Sequence, residues 1–165
     1  MGEKAPPVDD DQQRIALLEQ LNRSFAEVVP HNLALGITID GLEAGVAIMR
    51  LPYSASLVGN PDDGVLHGGA VTSLMDACCG AAVFMGLARP VPIATLDLRI
   101  DYLRPAVPAR DVVARAECYK VTRNVAFARC VAYHDSPDDP IASAAGTFML
   151  STAVSRRTEG GKESR

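Results

Sequence analysis

Residues 68–87, with the sequence GGAVTSLMDACCGAAVFMGL, decide the fold of this 165-residue chain. The run is too long for a strand, and its apolar residues fall on every side of a helix rather than along one stripe. This pattern predicts a helix over 68–87 that is buried all round. Its glycines and alanines leave room for close packing, so we expect a sheet to wrap around it.

Short apolar segments with strand character lie on both sides of this helix. Before it, 33–40 and 44–51 are apolar and β-branched, which predicts a hairpin with its turn at 41–43. The Ser-, Gly-, Pro- and Asp-rich residues 52–64 predict a long loop. After the helix, short turn-like connections predict an antiparallel meander of four strands: 95–103, 111–121, 125–134 and 141–152.

The first strand of this meander alternates strictly between apolar and polar residues. The alternation predicts two faces of opposite character. We expect the apolar face to carry Leu96, Leu98, Ile100 and Tyr102, and the polar face to carry Thr95, Asp97, Arg99 and Asp101.

The ends of the chain are expected to flank a single domain. Apolar residues recur at spacings of three and four over residues 12–29, which predicts a helix that Pro30 ends. Residues 1–11 and 154–165 are polar and lack this periodicity, which predicts disordered tails around one domain at 12–153. The fold class is therefore α+β. We expect a curved antiparallel sheet around one long central helix, which is the hotdog fold, with an additional N-terminal helix.

Composition excludes several classes of partner. The formal net charge of −4 argues against nucleic acid, because phosphate binding needs a basic face. We expect no apolar run to reach the ~18–20 residues of a membrane span, and the first residues lack the apolar region of a secretory signal. We expect a cytoplasmic protein with no membrane partner. The four cysteines fit no zinc spacing and are expected to be reduced, buried thiols: Cys78, Cys79, Cys118 and Cys130.

One charge lies where burial should be costly. The central helix has three polar side chains, those of Thr72, Ser73 and Asp76, and the two hydroxyls can bond to the helix backbone. Asp76 has no basic residue three or four positions away, so its burial would be expensive. Either Asp76 lies on an exposed strip, or it is a carboxylate in an apolar cleft. A carboxylate in such a cleft is suited to act as a general base or nucleophile.

The residues just before the helix, His67-Gly68-Gly69, form a second candidate feature. Glycines allow a close approach of backbone to ligand, and N–H groups at a helix N-terminus favour negative charge. Such a donor stabilises the oxyanion that forms when water attacks an acyl carbonyl, by ~2.7–4 kcal/mol. The alternative is a glycine-rich start needed only for packing. His67 could serve as a base, but before two glycines it more often shapes the loop.

The spacing of the two features predicts a site shared between subunits. Gly68 and Asp76 are eight residues apart, which is ~12 Å along one helix at ~1.5 Å per residue. That distance is too long for both to hold one small reacting group. A two-fold dimer with antiparallel helices would bring Gly68 of one chain towards Asp76 of the other.

At these residues the sequence resembles the hotdog thioesterases of the phenylacetic-acid-degradation (PaaI) type, over roughly residues 33–151. The resemblance implies an acyl-coenzyme A thioesterase that forms homodimers paired into homotetramers. It implies no metal and no cofactor, with coenzyme A present only as part of the substrate. The similarity lies in Gly64-x-x-His67-Gly68-Gly69 followed by Leu74-x-Asp76, in Thr95-Leu96-Asp97-Leu98, in Tyr102-Leu103-Arg104-Pro105 and in Gly146-Thr147.

The resemblance also implies roles for single residues. Asp76 takes the place of the catalytic carboxylate, and Gly68 that of the glycine whose N–H binds the thioester carbonyl. Asn60 is a third catalytic candidate, but it lies one residue further from the histidine than in the family and either reaches the site or caps its turn. The residues expected to contact the substrate are His67, Gly69, Thr72, Thr95, Arg123 and Asn124. Thr95 matches a position that often holds a hydroxyl near the water. Arg123 and Asn124 fall in a turn that often contacts coenzyme A.

Two other functions stay open. A hotdog dehydratase or hydratase would combine His67 with Asp76, but the Pro-Gly run usual between the histidine and the acid is missing. A non-catalytic acyl-coenzyme A binding protein would keep the pocket, but it would have no need of a buried carboxylate.

Overall fold

The computed structural model describes residues 19–20, 22–23 and 29–150. From residue 29 onwards, two helices and eight strands follow one another in a simple order. They are α1 (Pro30–Ala34), β1 (Thr38–Glu43), β2 (Val46–Leu51), β3 (Val58–Asn60), β4 (Val65–Leu66), α2 (Gly68–Gly86), β5 (Ile93–Tyr102), β6 (Val112–Val121), β7 (Val125–Tyr133) and β8 (Ala142–Leu150), with a short 3-10 turn at Ala55–Leu57.

The six longer strands form one antiparallel sheet in the order β1-β2-β6-β7-β8-β5. Helix α2 packs against all six of these strands, so the sheet wraps around it. The prediction of a hotdog fold is confirmed. The side chains of α2 that are fully buried against the sheet are Leu74, Met75, Cys78, Cys79, Ala82 and Val83.

Helix α2 differs from the sequence expectations in two ways. It reaches a mean hydropathy of 1.4 over an 18-residue window, enough in length and composition for a membrane span, so the expectation that no run is that apolar was wrong. Enclosure by the sheet accounts for this apolarity. The helix is also not buried all round, because Phe84 and Met85 near its end are 46% and 37% exposed.

The sheet order corrects the predicted four-strand meander. β6, β7 and β8 are neighbours as expected, but β5 pairs with β8 and not with β6. The chain after Tyr102 therefore crosses from the sheet edge to its middle. His134 anchors this crossing, because its Nε2 accepts from the Val107 N–H at 2.9 Å and its Nδ1 lies 2.7 Å from the Asp111 carbonyl oxygen. The crossing leaves β5 as an edge strand.

The first half of the chain also differs from the prediction. Leu33 belongs to α1 and not to a strand, because Pro30 occupies the first turn of a helix, where its missing N–H costs nothing. β1 continues through the expected turn at 41–43, and the reversal is made at Gly45, whose φ is +73°. The long loop at 52–64 contains the 3-10 turn, and β3 pairs with β4 in a small hairpin.

Most of the N-terminal prediction lies outside the described residues. This holds for the greater part of the helix over 12–29 and for both predicted tails. The described residues at 19–20 and 22–23 are helical. Asn22 bonds in both directions with the backbone of Ile39, at 2.6 and 2.9 Å, which ties this segment to β1.

A β-bulge in β5 turns Thr95 towards α2. Thr95 pairs with Phe148 and Asp97 pairs with Thr147, which leaves Leu96 as an extra residue between them. Residues directly opposite each other in an antiparallel pair share a face, and Phe148 belongs to the core. The strict alternation that placed Thr95 on the face of Asp97 was therefore wrong, because a bulge shifts the phase of a strand by one residue.

Candidate active site

Small and polar residues of α2 line the side of the helix that faces β5. Gly68, Thr72 and Asp76 are four residues apart, so they lie on one side of α2. Tyr102 at the end of β5 contacts the first two of these residues, and Thr95 near its beginning contacts the third. The edge strand therefore runs along the polar side of α2.

The Asp76 carboxylate is partly buried and, among the described residues, has one hydrogen-bond partner. The Thr95 hydroxyl donates to Asp76 Oδ1 at 3.0 Å. In the described part of the chain, no Lys, Arg or His forms an ion pair with Asp76, and its Oδ2 has no hydrogen-bond partner. Asp76 lies between the two predicted alternatives of an exposed strip and an apolar cleft, since its carboxylate is neither fully exposed nor enclosed. One oxygen is held, and the other can take a proton.

His67 is the N-cap of α2. Its Nδ1 accepts a hydrogen bond from the Gly69 N–H at 2.9 Å, and its carbonyl accepts from the Ala70 N–H at 3.0 Å. Its own N–H donates to the Leu57 carbonyl at 2.8 Å. These contacts engage Nδ1 as an acceptor and hold the entry to the helix. These hydrogen bonds fit the predicted structural role of His67, in which it shapes the loop before the helix.

Gly68 begins α2 under the ring of Tyr102. The Tyr102 hydroxyl donates to the Gly68 carbonyl at 2.6 Å, and the Thr72 hydroxyl donates to the same oxygen at 3.1 Å. A Cβ added at Gly68 would lie 3.1 Å from the Tyr102 hydroxyl, so a side chain there would force a shift. Among the described residues, the Gly68 N–H has no acceptor. It lies in the first turn of a 19-residue helix, where free N–H groups attract negative charge.

Within one chain these groups form two separate clusters. Thr95 and Asp76 make one, and His67, Gly68, Gly69, Thr72 and Tyr102 make the other. Both clusters lie along a single helix, at the ~12 Å spacing that its rise per residue gives. The carboxylate and the free N–H of one chain therefore do not meet.

The side chain of Asn60 makes hydrogen bonds within the turn between β3 and β4. Its Nδ2 donates to Asp63 Oδ2 at 3.1 Å, and its Oδ1 accepts from the Asp62 N–H at 3.2 Å. Its carbonyl accepts from the Gly64 N–H at 3.0 Å, and Gly64 has a φ of +70°. This geometry is that of the capping alternative, and a contact of Asn60 with a substrate stays a prediction.

Arg123 and Asn124 lie exposed in the turn between β6 and β7. Val125, which follows them, pairs with Met149, and so does Ala94 at the beginning of β5. The turn therefore lies at the end of the sheet where β5 begins, about 10 Å from it across two strand spacings of ~4.8 Å. In the described part of the chain, Arg123 forms no ion pair.

An apolar cleft of about 490 Å³ opens beside Gly68. It was not expected within a single chain. Arg104 is the cationic residue of its lining, and Arg104 Nη2 donates to the Asp139 carbonyl and carboxylate at 2.9 and 2.7 Å. The Arg104 Nε is buried and has no partner among the described residues. The cleft is lined also by Val65, Leu66, Val71, Tyr102, Leu103, Pro105, Ala106 and Ile141.

Tyr102 is the contact that sequence reasoning missed. The alternation in β5 assigned Tyr102 to the apolar face and gave no role to its hydroxyl, which bonds to the helix start. A tyrosine that ends a strand on the helix side carries a polar tip to the helix terminus. A tyrosine at the end of the apolar face of β5 was therefore the sequence signal that could have predicted this contact.

The cysteines are thiols that serve mainly in packing. All four are free, and three are buried. The neighbouring thiols of Cys78 and Cys79, together with burial, raise the pKa of Cys130 well above its usual value. Burial also raises the pKa of Cys118, which is only partly enclosed. Among the described residues, no group of three His, Cys, Asp or Glu side chains is arranged to hold a metal ion.

Sequence comparison places these features in a family context. A family model described as the thioesterase superfamily matches residues 63–141, which include both clusters but not Asn60. The medium/long-chain acyl-CoA thioesterase YigI of Escherichia coli is 32% identical over 146 residues, which are 81% of this chain and 93% of YigI. A Halobacterium salinarum protein is 36% identical over 97 residues, and this chain spans 63% of its length.

Solved structures agree with this result. A crystal structure of a Pseudomonas aeruginosa protein has 47% identity and a TM-score of 0.72, covering 82% of this chain and 99% of that one. A variant of the phenylacetic acid degradation protein PaaI from Thermus thermophilus has 26% identity and a TM-score of 0.65. The match covers 74% of this chain and 99% of that one.

Proposed function

Because this chain belongs to the thioesterase superfamily and is a hydrolase acting on thioester bonds, we propose that it cleaves an acyl- or aryl-coenzyme A to the free acid and coenzyme A. The observation that carries the proposal is the carboxylate of Asp76, held by Thr95 at 3.0 Å with one oxygen left free. YigI, which is named for medium/long-chain acyl-CoA substrates, supports coenzyme A as the carrier.

Asp76 acts on the thioester in one of two ways. As a general base, its free oxygen takes a proton from water while the water oxygen attacks the carbonyl carbon. As a nucleophile, the carboxylate attacks that carbon itself, and water then hydrolyses the resulting anhydride. In both routes the carbon–sulfur bond breaks. In the first, the protonated Asp76 gives its proton to the departing sulfur; in the second, the departing thiolate takes a proton from water, and hydrolysis of the anhydride releases the acid and regenerates the Asp76 carboxylate. The hydrogen bond from Thr95 fixes the carboxylate for either step.

The Gly68 N–H stabilises the negative charge that develops on the carbonyl oxygen. A preorganised backbone donor at a helix N-terminus contributes most where charge forms in the transition state. No metal or other cofactor has a part in this mechanism. His67, Gly69 and Thr72 hold the helix start in place around this donor.

The reacting groups come from two chains. β5 is an edge strand, and Leu96 and Leu103 in and beside it are 55% and 56% exposed. We propose that β5 of one chain pairs antiparallel with β5 of a second copy, which covers these side chains and aligns the two α2 helices antiparallel. Gly68 of one chain then meets Asp76 of the other. Two such dimers pair into a tetramer.

The substrate extends in two directions from the carbonyl group. The apolar cleft beside Gly68 suits the acyl or aryl part, because burial of hydrocarbon there is favourable. Arg123 and Asn124 lie near the Asp76 end of the sheet, where a guanidinium can bind the phosphates of coenzyme A. The mechanism needs neither nucleic acid nor a membrane, and we propose a cytoplasmic location.

Thiol release from a panel of acyl- and aryl-coenzyme A thioesters tests the proposal. We expect turnover by the wild type and a loss of roughly 10²–10⁴-fold in Asp76→Asn, which keeps the shape but cannot take the proton. Asp97→Asn is the matched control, because Asp97 lies on the same edge strand but on the outer face, and it should keep wild-type activity.

The same panel separates the alternatives. Tight retention of an acyl-coenzyme A without thiol release by the wild type would favour a binding protein. Hydration of an enoyl-coenzyme A with its thioester intact would favour a hydratase. Either result, or full activity of Asp76→Asn, contradicts the proposed mechanism.

A further inference from the structure

The two peptide groups on either side of Gly68 are both held by hydrogen bonds. The group between His67 and Gly68 is held by its carbonyl, which accepts from the Ala70 N–H at 3.0 Å. In a trans peptide the N–H points opposite to the carbonyl, so the Gly68 N–H points out of the helix end.

The next peptide group, between Gly68 and Gly69, is held at both of its ends. Its carbonyl accepts from the Tyr102 hydroxyl at 2.6 Å and from the Thr72 hydroxyl at 3.1 Å, and the two hydroxyl oxygens are 2.8 Å apart. Its N–H donates to His67 Nδ1 at 2.9 Å. Three side chains thus hold one peptide group of a glycine pair.

We propose that Tyr102 is a positioning residue for the reaction, which acts through the Gly68 carbonyl to keep the Gly68 N–H directed at the developing oxyanion. This inference rests on the proposed function. The reason for such a device lies in the glycine pair, because a Gly-Gly segment adopts many backbone angles and the helix start can shift. Holding the Gly68 carbonyl keeps the Cα of Gly68 in place, and with it the N–H of the preceding peptide group. A donor that rotates away from the oxyanion loses its effect on the transition state.

The position of Tyr102 on β5 gives this role its physical basis. Thr72 belongs to α2 itself and moves with the helix. Tyr102 belongs to the edge strand and reaches across to the helix start, so its bond fixes the peptide relative to the sheet. A residue of α2 alone cannot fix the peptide group relative to the sheet.

The variant Tyr102→Phe removes the hydroxyl and keeps the ring over Gly68. We expect kcat to fall about tenfold, less than the 10²–10³-fold typical of losing an oxyanion donor, because the N–H remains but is less well directed. The KM and the Kd of a non-hydrolysable thioether analogue of the substrate should stay unchanged, since the effect arises in the transition state. The midpoint of the pH–kcat profile should also stay unchanged, because Asp76 and Thr95 are not altered.

Tyr119→Phe is the matched control for this variant. Tyr119 is 53% exposed and Tyr102 is 51% exposed, but Tyr119 packs on Phe127 and Arg129 away from α2. Its kcat should equal that of the wild type. Equal thermal midpoints for both variants show that the loss in Tyr102→Phe does not come from unfolding.

Changes at Thr72 test whether both hydroxyls act on the same carbonyl. Thr72→Ser keeps the hydroxyl and should keep nearly full kcat, whereas Thr72→Val should lower it severalfold. The double variant Thr72→Val/Tyr102→Phe should lose a different factor in kcat from the product of the two single losses, because residues that share a partner are coupled.

The outcomes separate this inference from the proposed function. If the wild type releases thiol, Asp76→Asn is inactive and Tyr102→Phe keeps full kcat, the inference alone is wrong. A raised Kd for the thioether analogue in Tyr102→Phe also overturns it, because the Tyr102 hydroxyl would then bind the substrate itself, whereas the ring that lines the apolar cleft is the same in both proteins. If the wild type turns over no thioester, the proposed function and this inference fall together.

Discussion

A shared active site can be tested by mixing two inactive chains. Gly68→Pro removes the N–H that stabilises the oxyanion, and proline is well accepted at the first position of a helix. His67 has φ −61° and ψ 133°, which suits a residue that precedes proline. Asp76→Asn removes the carboxylate instead. Each variant alone has only defective sites.

The expected activity of each preparation follows from the geometry. Gly68→Pro should lower kcat by roughly 10²–10³-fold, the cost of one oxyanion donor. In a 1:1 mixture with free exchange of chains, half of the dimers combine the two variants. Each mixed dimer has one site with both native groups and one with neither, so the mixture should reach about a quarter of the wild-type activity.

The assay is thiol release after the chains are unfolded together and refolded, with each variant treated alone as the reference. Gly68→Ala is the control for bulk, because it adds a Cβ at 3.1 Å from the Tyr102 hydroxyl but keeps the N–H. Its loss should be much smaller than that of Gly68→Pro. A mixture that stays at the background of the two separate variants would refute a site made from two chains.

Three further results are expected. Thr95→Val should lower kcat about tenfold, because the loss of a bond worth ~1.5 kcal/mol frees the Asp76 carboxylate; thiol release measures it, and Thr95→Ser should restore the rate. The hydrogen bond from Arg110 lowers the pKa of the Asp135 carboxyl in the folded protein. The pair therefore stabilises the fold at pH values above the unfolded pKa of this carboxyl, and the stabilisation is lost as pH falls through the folded pKa. Urea unfolding should show that Asp135→Asn is less stable than the wild type at pH 7 and equally stable near pH 2. Dialysis against EDTA should leave thiol release unchanged, and restoration of a lost rate by one metal ion would contradict the proposed mechanism.

The fold could be predicted because one segment constrains it strongly. A 19-residue helix that is apolar on nearly every side needs a sheet around it, and short strands on both sides of it in the chain supply that sheet. The place of β5 could not be predicted, because the connection after Tyr102 is long enough to reach β6 whether or not the two strands are neighbours in the sheet. Alternation along a strand indicates which residues share a face, but it does not indicate which strands lie next to that strand in the sheet.

The candidate site could be predicted in its residue types but not in its contacts. Asp76 stood out because a carboxylate is unusual in an apolar helix. Its contact with Thr95 was hidden, because a bulge at Leu96 leaves the sequence alternation intact while it changes the face. The role of Tyr102 was hidden for a related reason, since an aromatic residue in an apolar stripe is interpreted as packing until its hydroxyl has a partner.

The pairing of β5 with β8 has a consequence for the biogenesis of the chain. Ile93 finds its partner in Leu150, so β5 leaves the ribosome well before the strand that it needs. Until β6, β7 and β8 have been synthesised, α2 has no complete cover, and its apolar side chains are accessible to other nascent chains. Distant pairings of this kind slow folding and prolong that exposure. The yield of folded protein should therefore depend on chaperones that bind exposed apolar helices, and slower translation before β6 should lower it.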